Sequence, residues 1–82
     1  MKGVKLHMFK IDLKSIKSVK EFVNITNNFI GDVTLKSDRY VVDGKSIMGI
    51  FSLDLSKPIE VEITPAEKAD EFKNSVKDFL AE

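Results

Sequence analysis

The chain contains no cysteine, which excludes a disulfide framework, a thiolate nucleophile and a thiolate metal site. It contains one histidine, His7. Lys5 lies two residues before it, and it has none of the paired histidines or carboxylates that hold a metal ion. Imidazole catalysis would need an orienting acid and a nucleophile, and the sequence supplies no such trio. His7 therefore reads as a solvated residue on the outward side of a strand. The four glycines form neither a G-x-G-x-x-G nor a Walker pattern, so no nucleotide cradle is indicated. No metal or cofactor is expected. No apolar run approaches the length that crosses a bilayer, and the opening Met-Lys-Gly-Val-Lys-Leu-His is not a signal peptide, which leaves the cytoplasm as the default compartment.

Charge of one sign is also missing. Thirteen basic residues cancel thirteen acidic ones, so no global field draws the chain to nucleic acid or to a membrane. The distribution is uneven, however. Residues 1–20 hold six lysines against one aspartate, whereas residues 59–82 hold seven acids against three lysines. The basic end could face an acidic partner, or simply carry solvated lysines. A hydrophobic share of 43% in 82 residues predicts one packed domain, 1–82, rather than disorder.

Periodicity divides the chain. Val4, Leu6 and Met8 alternate with Lys5, His7 and Phe9, a strand with one buried side, with Phe9 breaking the pattern at its end. Ile16, Val19, Phe22, Val23, Thr26 and Phe29 recur at helical spacing. Either Ser15 or Ser18, the latter boxed with Glu21, caps that helix, and Gly31 closes it. Val33 and Leu35 point inward on the next strand. Asp38-Arg39 forms a turn, in which arginine suits a positive φ poorly, and Tyr40-Val41-Val42 completes a hairpin. Asp43-Gly44 breaks the strand. Ile47 to Leu53 suits two helical turns capped by Ser46, and Ser56-Lys57-Pro58 is loop. Ile59, Val61 and Ile63 line the buried side of a fourth strand. Thr64-Pro65-Ala66-Glu67 reads as a capping box, and Ala69, Phe72, Val76, Phe79 and Leu80 mark a helix running nearly to Glu82. The order β-α-β-β-α-β-α, with one polar side on every strand, predicts an α+β fold with helices on one face of an antiparallel sheet.

Chemistry is scarce along this framework. Glu60 and Glu62 share a strand face about 7 Å apart by strand rise. That spacing superficially suits a glycosidase, but an open sheet face implies no cleft. The chain is not expected to be an enzyme. The two-turn segment, by contrast, has more apolar side chains than so short a helix can bury. An exposed Ile47-Met48 pair, with Phe51, is expected to form a binding patch.

Lys45-Ser46-Ile47-Met48-Gly49-Ile50-Phe51-Ser52-Leu53 resembles the regulatory-serine segment of the HPr family, the phosphocarriers of the bacterial sugar phosphotransferase system. Asp32-Val33-Thr34-Leu35 and Ile59-Glu60-Val61-Glu62-Ile63 resemble the family's second and fourth strands, and length and element order agree. The resemblance implies an open-faced β-sandwich of four antiparallel strands under three helices. It implies a partner-binding face made of Ile16, Lys17, Lys20, Asn24, Asn27, Ile47, Met48 and Phe51. It also implies phosphorylation of Ser46 by an ATP-dependent HPr kinase, adding about −2 charge at a helix start.

The sequence departs from the family where the family's chemistry resides. Where HPr proteins carry Gly-x-His-Ala-Arg-Pro, this chain reads Leu13-Lys14-Ser15-Ile16-Lys17-Ser18, with Ser15 at the histidine position. A serine phosphate ester is stable and does not pass its group on as phosphohistidine does, and Lys17 lacks the arginine fork. Ser15 reads as a helix cap, at a helix start that also favours an anion. The implied function is a protein-binding, regulatory role in catabolite repression without a histidine relay. The implied partners are an HPr kinase, a LacI-type transcription regulator or phosphotransferase components. A plain interaction domain on the same scaffold, unrelated to sugar transport, is the alternative. A phosphocarrier that uses Ser15 is a third reading.

Overall fold

The computed structural model describes residues 8–81, so the expectations for Val4, Leu6 and His7 lie outside the described residues. Element order follows the sequence reading: β1 (Met8–Ile11), α1 (Ile16–Asn27), β2 (Asp32–Ser37), β3 (Tyr40–Asp43), α2 (Ile47–Phe51), β4 (Ile59–Thr64) and α3 (Ala69–Ser75). Short 3-10 turns at Ala66–Lys68 and Lys77–Phe79 flank α3. The four strands form one antiparallel sheet in the order β1-β4-β2-β3. The helices cover one face, the α+β arrangement that the alternation of the strands predicts and the open-faced sandwich that the resemblance implies.

Alternation works because each strand presents one side to the core. Val33 and Leu35 of β2 and Ile59, Val61 and Ile63 of β4 are buried against Val19 and Phe22 of α1 and Phe72 of α3. Phe72 is the hub. Its ring lies 5.0 Å from that of Phe29, 6.2 Å from Phe22 and 6.3 Å from Phe9, offset or edge-on geometries that suit aromatic quadrupoles.

The opposite face of the sheet carries Lys10, Lys36, Glu60 and Glu62. Lys36 Nζ sits 2.9 Å from Glu62, and the hydrogen bond and charge of that carboxylate raise the lysine above its ordinary value. Glu62 is thus a partner in a half-exposed ion pair.

Four local expectations need correction. On β1 the inward residues are Phe9 and Ile11, opposite Val61 and Ile59, while Met8 lies opposite Glu62. Two adjacent apolar residues leave the strand's phase undecided, and pairing with β4 decides it. Helix α1 ends at Asn27, capped by Asn28 and not by Gly31. The amides of Asn27 and Asn28 turn back onto the carbonyls of Val23 and Asn24, local bonds that favour helix ends. Gly31 instead takes φ +148° against Thr64 O, where a Cβ could not fit. Thr64 makes no capping box, because it stays in the β4 ladder opposite Asp32, and Pro65 heads the following turn without a side-chain cap.

The last helix also stops early, at Ser75. The chain then turns back to β1. Asp12 N–H donates to Phe79 O at 2.7 Å, Ala81 N–H donates to Lys10 O at 2.9 Å, and Leu80 bridges Ile11. These ladder bonds outweigh continuing a helix through β-branched Val76. In the hairpin, the positive φ falls on Asp38 (54°) and not on Arg39, consistent with aspartate's tolerance of that region.

Candidate functional site

Ser46 is built into place from both sides of the sequence. Its β-region backbone (φ −105°, ψ 110°) precedes α2, and its hydroxyl accepts from Gly49 N–H at 3.1 Å. Its carbonyl accepts from Ile50 N–H at 3.0 Å. The sequence-predicted N-cap is therefore formed. Gly49 leaves room for it, since a Cβ there would sit 3.3 Å from the Ser46 hydroxyl and 3.4 Å from Val42 Cβ.

The turn before Ser46 is pinned by longer-range bonds. Gly44 N–H donates to Val33 O at 2.7 Å. The hydroxyl of Thr26, fully buried on α1, donates to Gly44 O at 2.9 Å. Lys45 N–H donates to Asp43 Oδ1 at 2.9 Å, and Lys45 Nζ donates to Phe29 O at 2.9 Å. Ser46 N–H closes on Asp43 O at 3.0 Å. Asp43-Gly44 was visible in the sequence as a strand breaker. The roles of Thr26 and Phe29 were not, because their partners are far along the chain.

Ser15 caps α1 and Ser18 does not. The Ser15 hydroxyl accepts from Ser18 N–H at 3.0 Å and lies 3.0 Å from the Ser18 hydroxyl. No acidic residue occupies the first turn of α1. Lys14, Lys17 and Lys20 are exposed around it, and no ion pair engages them among the described residues.

The expected partner-binding residues fall on two neighbouring helices. Ile16, Lys17, Lys20, Asn24 and Asn27 are all exposed on the outer side of α1, as their spacing of three to four residues requires. Asn27 spends one amide donor on Val23 O. Helix α2 packs beside α1 and adds Met48, 76% exposed, and Phe51, 40% exposed; Ile16 is 64% exposed. Ile47 departs from the expectation of an exposed Ile-Met pair. It is half-buried against the core, and Ile50 is fully buried. With one side of so short a helix turned to Val42 and the core, only Met48 and Phe51 remain largely outward.

A family model described as the PTS HPr component phosphorylation site matches residues 15–82. Among solved structures, the fold is similar to that of phosphocarrier protein HPr from Bacillus anthracis str. Ames, with a TM-score of 0.69 and 25% identity over 90% of this chain and 93% of that one. It is also similar in fold to HPr-C-His from Thermoanaerobacter tengcongensis, with a TM-score of 0.71 and 24% identity over 87% of this chain and 84% of that one. No curated protein matches the sequence.

Proposed function

The chain belongs to the HPr family of phosphotransferase-system proteins, and on that premise we propose that it binds partner proteins without relaying phosphate through a histidine. The observation that carries this reading is the residue at the head of α1. By the resemblance of Leu13 to Ser18 to the family's histidine stretch, Ser15 takes the histidine position, and its hydroxyl is engaged as a helix cap. A phosphate ester on serine is a poor donor, so a relay through this position would stall. The one histidine, His7, lies at another place in the sequence.

The partner face is the outer side of α1 with α2: Ile16, Lys17, Lys20, Asn24 and Asn27, joined by Met48, Phe51 and the edge of Ile47. Its apolar centre and flanking lysines suit an acidic protein surface. Ser46, on the border of this face, is the regulatory site. A kinase would transfer the γ-phosphoryl group of ATP to its oxygen, releasing ADP and the hydroxyl proton. The added charge would sit at the start of α2, where free N–H groups favour an anion. It would also alter the face beside Met48. A LacI-type regulator or phosphotransferase components are the proposed partners, and the cytoplasm the proposed compartment.

Incubation with an HPr kinase and ATP, followed by mass spectrometry, tests the regulatory site. One added phosphate is expected on the wild-type chain and none on Ser46→Ala. No modification, or one that survives Ser46→Ala, removes the regulatory reading and leaves the plain interaction domain. Incubation with enzyme I and labelled phosphoenolpyruvate tests the absence of relay, and transferable label on the protein would overturn it.

A further inference from the structure

The two outer strands of the sheet are treated differently. Along β1, the C-terminal segment covers the edge through the bonds of Phe79 and Ala81 to Asp12 and Lys10. Strand β3 is the other outer strand, and among the described residues it pairs only with β2. The bond from Gly44 N–H to Val33 O sets the ladder's phase. Bonded pairs alternate with unbonded ones in an antiparallel ladder, so Leu35/Val42 and Ser37/Tyr40 exchange bonds with each other. The N–H and C=O groups of Val41 and the N–H of Asp43 therefore point away from the sheet, while Asp43 C=O already accepts from Ser46 N–H and has one lone pair left for a second donor.

Open edges are ordinarily blunted by being very short, by charged side chains (above all lysine), by proline or by a bulge. Tyr40-Val41-Val42-Asp43 is short, at four residues, but has no lysine or proline. Its charges, Arg39 and Asp43, sit only at its ends, and Tyr40 and Val41 are 62% and 63% exposed. The edge is also complementary to itself. Arg39, Val41 and Asp43 alternate along it, and reversing the strand exchanges the positive end for the negative one. In an antiparallel pair with Val41 on the two-fold axis, Val41 meets the second copy's Val41. Arg39 then lies opposite the second copy's Asp43 at one end, and Asp43 opposite its Arg39 at the other. On the helix side of the sheet, Tyr40 lies opposite the second copy's Val42. Centring the pair on Val42 instead would set Val41 against Asp43 and match no charges. Arg39 has no ion pair among the described residues, and Asp43 commits one carboxylate oxygen to Lys45 N–H, leaving the other for the pairing.

We propose that β3 is a self-association edge, where a second copy of this chain adds antiparallel about Val41 and joins two four-stranded sheets into one. This surface lies at the sheet edge and does not rest on the reading given to Ser15 and Ser46, although Asp43 also bonds the Lys45 and Ser46 N–H groups of the turn before α2.

Sedimentation equilibrium on the full chain, from micromolar to about 1 mM, tests the proposal, with circular dichroism confirming that each variant is folded. The wild-type chain is expected to dimerise with rising concentration, less tightly at high salt. Val41→Lys puts two ammonium groups across the axis and abolishes the dimer. Arg39→Glu, or Asp43→Lys, replaces two attractive pairs by two repulsive ones and weakens it about tenfold or more. Mixing Arg39→Glu with Asp43→Lys restores opposite charges at both ends, so the mixture associates more tightly than either variant alone. A wild-type chain that stays monomeric overturns the proposal. So does a dimer that Val41→Lys leaves intact, or a mixture no tighter than its components.

Discussion

Replacing Thr26 by valine isolates the bond that ties α1 to the turn before Ser46. The substitution keeps side-chain volume and shape and removes one hydroxyl. Thr26 is fully buried, and its hydroxyl sits 2.9 Å from Gly44 O and 3.0 Å from Val23 O. Val23 O also accepts from the Asn27 amide, so it is not stranded by the change. Gly44 O is the group left without that donor, in a buried site. An unsatisfied buried acceptor costs about 1–3 kcal/mol. For a chain of this size about 1 kcal/mol moves the midpoint of thermal unfolding by roughly 4–8 °C. A loss of about 2 kcal/mol thus lowers it by roughly 8–16 °C.

Urea unfolding measures the change as a lower midpoint at an unaltered slope. Thr26→Ser keeps the donor and loses one methyl group, which costs about 1 kcal/mol by transfer and cavity terms. Valine is therefore expected to be the worse variant. Amide hydrogen exchange adds a local readout: with Gly44 released, the Ser46 and Gly49 amides exchange faster in Thr26→Val than in Thr26→Ser. A valine variant within about 0.5 kcal/mol of wild type, or one more stable than the serine variant, would refute the claim that this bond anchors the turn.

Three other outcomes follow from the same packing. Ser46→Ala removes the acceptor for Gly49 N–H and lowers stability by about 1 kcal/mol, whereas Ser46→Asn keeps a capping oxygen and recovers most of it in the same urea assay. Phe72→Ala empties the centre of the aromatic cluster and costs about 3–5 kcal/mol, a large share of the roughly 5–15 kcal/mol available to a small domain. Calorimetry should find little cooperative unfolding left near body temperature. The hydroxyl and N–H of Ser56 bond Asp54 Oδ1 at 2.6 and 3.0 Å and hold that carboxyl below its ordinary value. A depressed carboxylate contributes stability above its unfolded pKa of about 3.9 and loses it as pH falls through the folded value. The gap between wild type and Asp54→Asn should therefore close on acidification below about pH 4, and a gap constant from neutral to acid pH would count against the link.

What could be read from the sequence was whatever one element decides alone. Val33 and Leu35, or Ile59, Val61 and Ile63, alternate because one side of each strand meets the core. The Ser15 and Ser46 caps need only the next three residues. Reading failed wherever a second element decides. The phase of β1 depends on Phe9 meeting Val61. Thr64 is held by Asp32 across the ladder and is lost as a cap. The tail leaves its helical path because β1 offers Phe79 and Ala81 ladder partners. Ile47 turns inward because the core lies beneath it, leaving Met48 to supply the exposed apolar group of α2.

The same distinction separates the two serines. Both are N-caps, and each hydroxyl bonds an N–H three residues on. The bonds of Ser15 that involve its side chain stay within the first turn of α1. Ser46, by contrast, follows a turn tied to β2 through Gly44, to α1 through Thr26, and through Lys45 to Phe29 in the segment after α1. A charge placed on Ser46 therefore acts on a segment whose position depends on three other parts of the fold, and displacing it would move Met48 and Phe51 relative to Ile16. A charge on Ser15 would alter the head of one helix. Under the proposed function, Ser46 is thus the serine whose modification would be expected to reshape the two-helix face, and Ser15 the one whose modification would only recharge it.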